Sequence, residues 1–139
     1  MARVTRVLRY LLLKALSGKR FVIDIARMYF VENASPRDIA SALGLSKHSV
    51  RGYINRIESM CGGYNSARKL VKLLVDEVET VPSVVERKDV KRFVCRVCGY
   101  IVADPERHLE THHPEVLDRE MRRVVEAVRK RVAFARGGG

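Results

Sequence analysis

A chain of 139 residues, 47% of them apolar, holds enough hydrophobic surface for one ordinary core or two small ones, a composition that excludes a wholly disordered chain. The formal charge of +11, from 27 Lys and Arg against 16 Asp and Glu, suits a polyanionic partner, nucleic acid or an anionic membrane surface. The apolar run "YLLLKAL" is interrupted by Lys14 well short of the roughly 18–20 residues a membrane-spanning helix needs, and no secretory cleavage pattern accompanies it, so a cytoplasmic protein with no membrane partner is expected.

Residues 4–31 alternate apolar and basic positions at helical spacing, first Val4, Val7, Leu8, Leu11 and Leu12, then Ile23, Ala26, Arg27 and Phe30. The break at Ser17-Gly18 makes this two helices. In "ENASPRDIASALGLSKHSVRGYINRIESM" the signals are local and dense. Ser35 can cap a helix, Pro36 suits its first position, Asp38 lies in the favourable first turn, and Gly44 can supply the positive φ that ends it. Ser46 can cap the next helix, whose buried stripe is Val50, Tyr53, Ile54 and Ile57, and "CGG" at 61–63 ends it. "NSARKLVKLLVDEVET" reads as one further helix with Ala67, Leu70, Val71, Leu74 and Val78 on a face, stopped by Pro82, and "PSVVERKDV" as a connector. From Pro114 a last helix bears a stripe of Val116, Met121, Val124, Val125, Val128 and Val132 with arginines around it. The closing Gly-Gly-Gly reads as a frayed tail or a cloning remnant.

The two short helices meeting at Gly44-Leu45 have the pattern of a helix-turn-helix, with Ile39 and Leu43 facing the core, small Ala40 at the crossing and Val50 anchoring the second helix. "DIASALGLSKHSVRGYINRI" resembles the helix-turn-helix of the fourth region of bacterial sigma factors, and "GKRFVIDIARMYFVENAS" resembles the helix before it, so the likeness covers about residues 15–60. The resemblance implies a reading head on the second helix at Ser46, Lys47, His48, Arg51, Gly52 and Asn55. The side chains agree on their own chemistry: Arg51 can pair bidentately with guanine and Asn55 with adenine, while Lys47 and Arg56 can neutralise phosphates. No region resembling the polymerase-binding part of a sigma factor stands upstream, so only the reading module carries over. The competing view is a helical hairpin with an ordinary polar face.

Three cysteines, two of them in Cys-x2-Cys, read as metal ligation plus a spare thiol at Cys61 rather than a disulfide framework. Cys95 and Cys98 supply half of a tetrahedral site, Gly99 lets the knuckle turn, and His108 with His112 or His113 supplies the rest from one helix face. "FVCRVCGYIVADPERHLETHH" is similar to the two-cysteine two-histidine zinc finger, with Phe93 and Leu109 as its small core. The nine residues between Cys98 and His108 fall short of the usual spacing, so the finger's base-reading positions are not carried over. The expected cofactor is one structural Zn2+. A catalytic zinc would keep an open site, and no His-Glu-x2-His arrangement is present.

The expected fold is mainly α: a helix-turn-helix domain (1–62), a linker helix and connector (63–90), a small ββα-type zinc finger (91–114) and a basic C-terminal helix and tail (115–139). The expected function is a sequence-specific, nucleoid-associated regulator of transcription that binds double-stranded DNA and is not an enzyme. RNA or ribosome binding is the alternative, and a protein-interaction adaptor a third reading, in which the apolar stripes hold a homodimer or a component of the transcription machinery. The seven basic residues Arg119, Arg122, Arg123, Arg129, Lys130, Arg131 and Arg136 suggest phosphate contact by the last helix. The absence of Gln, only three Asn and 31% charged residues lean toward a thermophile.

Overall fold

Helix α1 (Ala2–Leu16) buries Val7, Leu8, Leu11, Leu12, Leu13, Ala15 and Leu16, far more than one stripe, and a helix apolar on nearly every side belongs in the interior. In the computed structural model it is the central helix, packed against the helices at Arg20–Ala26, Lys47–Cys61, Tyr64–Glu79, Pro105–His112 and Pro114–Gly137. Residues 2–137 are described, with the backbone alone at residues 134–137; Gly138 and Gly139 of the expected tail lie outside the described residues, as does the side chain of Arg136. Among the described residues no helix is long and apolar enough to cross a membrane.

The second helix, expected to run unbroken to Phe30, is α2 (Arg20–Ala26) and then widens to a π-helix over Arg27–Val31. The Glu32 N–H bonds to the Arg27 carbonyl at 3.0 Å. The wider turn accompanies two demands met at once, burial of Phe30 and engagement of Arg27 with both carboxylate oxygens of Glu79 (2.5 and 2.8 Å) and with Asp76. Helices α3 (Pro36–Leu43) and α4 (Lys47–Cys61) start where their caps predict. Ser35 Oγ accepts from Asp38 N–H at 3.1 Å, Ser46 Oγ accepts from Ser49 N–H at 3.0 Å, and Gly44 sits at φ 68° between them. Ile39, Ala40, Val50, Ile54 and Ile57 are buried, and Cys61 lies packed in the core.

Helix α5 (Tyr64–Glu79), read as a linker, is instead a core element: Ala67, Val71, Leu74, Val75 and Val78 are buried against α1, α2, α4 and the π-helix. Arg20 donates to the Glu79 and Val81 carbonyls at 2.7 and 2.6 Å, answering the unpaired end of α5. The expected connector contains a strand. β1 (Val85–Arg87), β2 (Phe93–Cys95) and β3 (Ile101–Val102) form an antiparallel sheet in that order, Val85 opposite Cys95 and Phe93 opposite Val102. Then come α6 (Pro105–His112) and α7 (Pro114–Gly137). Where a ββα unit was expected, the chain forms three antiparallel strands followed by α6.

Buried residues from all four stretches, Val7 through Val128, join one hydrophobic cluster. The stripe of α7 that the adaptor reading assigns to a partner is largely spent inside the chain: Val116, Val124 and Val128 are buried, as is neighbouring Leu117, Met121 and Val125 are half-buried, and Val132 is exposed. Two of its arginines turn to α5, Arg131 donating to the Leu73 carbonyl at 2.5 Å and Arg123 standing 3.9 Å from Glu77.

Candidate metal centre and nucleic-acid interface

Cys95 ends β2, and the chain reverses through a knuckle in which the Gly99 N–H bonds to the Cys95 carbonyl at 2.7 Å. Gly99 stands at φ 82°, a conformation that glycine adopts without a steric penalty. The return strand β3 is short, and only two residues separate it from α6, which Asp104 caps by accepting from Arg107 N–H at 3.2 Å. That economy accounts for the nine-residue gap between Cys98 and His108.

The ligand atoms of Cys95, Cys98, His108 and His113 all lie within 4.8 Å of one another, close enough to hold a metal ion. Cys98 Sγ and His108 Nε2 are 3.4 Å apart. His113 occupies the fourth position; His112, an equal candidate by spacing, is exposed and outside the set. The reason is Pro114. A residue before proline is pushed out of the α region, and His113 has left the helix at φ −133°, ψ 49°, which turns its ring back to the cysteines. Its Nε2 is buried without a hydrogen-bond partner, the condition of a lone pair reserved for a metal. Its other nitrogen faces Glu115 at 3.6 Å, a carboxylate placed to orient the ring.

The protonation states suit ligation. The Tyr100 backbone and the His113 ring hold the Cys98 thiol below the ordinary cysteine range, favouring thiolate. Burial, with the neighbouring His112 and His113 rings, lowers the His108 pKa and keeps it neutral. Burial raises that of Cys61, which has no part in the cluster.

Helix α6 is docked on α1 by ion pairs. Lys14, only 5% exposed, reaches Glu106 at 2.9 Å beneath the rings of Tyr10 and Tyr53, Lys19 reaches the same carboxylate at 2.5 Å, and Arg9 pairs with Glu110 at 3.1 Å. Helix α6 therefore spends this face on the protein itself. Sequence alone gave no sign that Lys14 would be internal, since lysine inside an apolar run usually marks a solvated edge.

The second candidate surface is α4. Ser46 lies at the cap with its hydroxyl committed to Ser49, while Lys47, His48, Arg51, Gly52, Asn55 and Arg56 are all exposed. Among the described residues, the side chains of Lys47, His48, Arg51 and Asn55 make no hydrogen bond or ion pair within the chain. Arg56 lies between two hollows, one of which it shares with Arg6, Tyr10 and Glu110. His48, Gly52 and Arg56 border a shallow notch of about 230 Å3 with Ser49 and Tyr53. A Cβ at Gly52 would meet nothing within 4 Å, so the fold does not need glycine there, although glycine inside a helix costs about 0.5–1 kcal/mol relative to alanine. The bare spot leaves room for close approach from outside. Compared with protein-family models, curated proteins and solved structures, the chain matches none.

Proposed function

We propose that this protein is a sequence-specific double-stranded DNA-binding regulator of transcription, reading the major groove with the exposed face of α4 from Lys47 to Asn55 and holding one structural zinc ion at Cys95, Cys98, His108 and His113. The observation that carries the reading is the face of α4. Two cap-defined helices meet at a left-handed glycine, and the second presents Lys47, His48, Arg51 and Asn55 with their hydrogen-bonding groups unspent. Arg51 suits a guanine edge, Asn55 an adenine edge, and Lys47 a phosphate. The chain's charge of +11 supplies the long-range attraction.

Zinc is favoured by the donor set. Two thiolates and two imidazoles in a closed group fit zinc's preference for four N and S ligands, and four protein ligands leave no open position for chemistry. When bound, the ion supplies structure: it ties the knuckle to the end of α6, and the chain's own Glu106 ties α6 to α1.

Arg51→Ala is expected to cost about 1–3 kcal/mol on a preferred duplex and to relax the choice at one base, whereas Lys47→Ala should weaken every duplex alike. Equal losses on preferred and random duplex for both variants would refute these roles. One observation favours a second reading, RNA binding: Tyr100 on the knuckle is 72% exposed with Ile101 beside it, a surface on which an unpaired base can stack.

A further inference from the structure

Between the α1–α2 turn and the finger's sheet lies a cleft of about 630 Å3. Its walls carry Lys19, Arg20, Arg87 and Arg96 against a single carboxylate, Glu86, and its apolar floor includes Phe21 and Phe93. Arg20 is held by backbone carbonyls at 2.6 and 2.7 Å and Lys19 by Glu106 at 2.5 Å, which leaves as the loosely held cations Arg96, just after β2, and Arg87, whose exposed guanidinium donates to the Asp89 and Val90 carbonyls at 3.2 and 3.5 Å. Arg87 extends over the Phe93 ring at 5.8 Å, and Arg96 is held loosely by Glu86 at 3.5 Å with more than half its side chain exposed. This cleft adjoins the reading helix through one aromatic contact. Phe21 packs edge-on against Tyr53 with ring centroids 5.6 Å apart, and Tyr53 lines the notch at Gly52.

We infer that this cleft is a second nucleic-acid contact, holding the sugar–phosphate backbone of the same DNA duplex where it runs beyond the segment read by α4. The inference rests on the reading of α4 as a DNA-binding helix. The chemistry is that of a backbone site: two exposed guanidinium groups donate to phosphate oxygens, and the aromatic floor covers the deoxyribose. Neither Arg87 nor Arg96 faces a base edge in this role, so the cleft adds affinity and orientation without sequence preference. It also gives the finger a task that its docked helix, turned to α1 through Glu106 and Glu110, does not perform.

The test uses the full zinc-loaded chain and random-sequence duplexes of about one turn and about three turns, roughly 10 and 30 base pairs. For the wild type, log affinity should fall with log salt more steeply on the longer duplex, by about two units at roughly 0.9 per phosphate neutralised. Arg87→Ala/Arg96→Ala should abolish that difference and leave binding to the short duplex unchanged. Arg87→Lys/Arg96→Lys should restore it, which separates charge from packing. A double alanine variant that retains the steeper slope on the long duplex overturns the proposal while leaving the α4 reading intact. Wild-type protein that binds neither duplex overturns the α4 reading and this inference with it. Preference for single-stranded DNA or RNA through the same two arginines overturns the duplex as occupant.

Discussion

Chelation of the metal, or Cys98→Ser, is expected to unfold the segment from β2 through α6 while α1 to α5 stay folded. Binding free energies of structural zinc in finger peptides are about 10–16 kcal/mol near neutral pH, more than the few buried side chains and the ion pairs to α1 supply to this segment. Among its residues Cys95, Pro105, Leu109 and His113 are buried, whereas Val97, Tyr100 and Ile101 are exposed. Hydrogen exchange should show amides 93–113 losing protection on chelation, with those of α4 unchanged. Metal analysis should find one zinc per chain, lost in His113→Ala and kept in His112→Ala. The reverse pattern for the two histidines would contradict the ligand set, and protection that survives chelation would show that the segment folds without metal.

Glu106→Ala should destabilise the protein by about 2–3 kcal/mol. The substitution leaves Lys14 buried without its carboxylate, and breaking a buried pair by removing one partner is strongly unfavourable; the value is reduced here because Glu106 keeps 21% side-chain exposure. Burial alone would raise the Glu106 pKa, but hydrogen bonds from Lys19 and Lys14 outweigh it and hold the carboxyl below the ordinary glutamate range. A depressed folded-state pKa contributes stability that is fully present above the unfolded value, about 4.3, and is lost as pH falls through the folded value. Wild type should therefore lose stability below about pH 4.3, and Glu106→Gln should lack this part of the acid dependence. Urea unfolding of the three proteins at neutral and acidic pH measures both effects. Equal stability of wild type and Glu106→Ala at neutral pH would mean that Lys14 finds water or another partner.

What could be read from the sequence was local. Ser35, Pro36, Asp38, Gly44 and Ser46 set the limits of α3 and α4 through bonds spanning three or four residues, and each took its anticipated role. The Cys-x2-Cys spacing likewise brought both thiols to one point with His108. What escaped was set by distant partners. Strand β1 is three residues long and exists because Val85 and Arg87 pair with Cys95 and Phe93 across a loop. Lys14 becomes internal only because Glu106, 92 positions on, arrives beside it. The choice of His113 over His112 was legible in principle, since the next residue is Pro114, but helical spacing alone treated the two as equals. Helix α5 looked like a linker because an apolar stripe does not say which surface it will cover.

The central claim is that α4 reads duplex DNA by sequence, and enrichment of bound duplexes from a randomised pool by the zinc-loaded protein tests it most directly. The account predicts a single motif of a few base pairs, with guanine and adenine at the positions assigned to Arg51 and Asn55, and a changed preference at the guanine alone when Arg51→Ala is put through the same enrichment. A pool that emerges without a motif, or a motif untouched by Arg51→Ala, would contradict it.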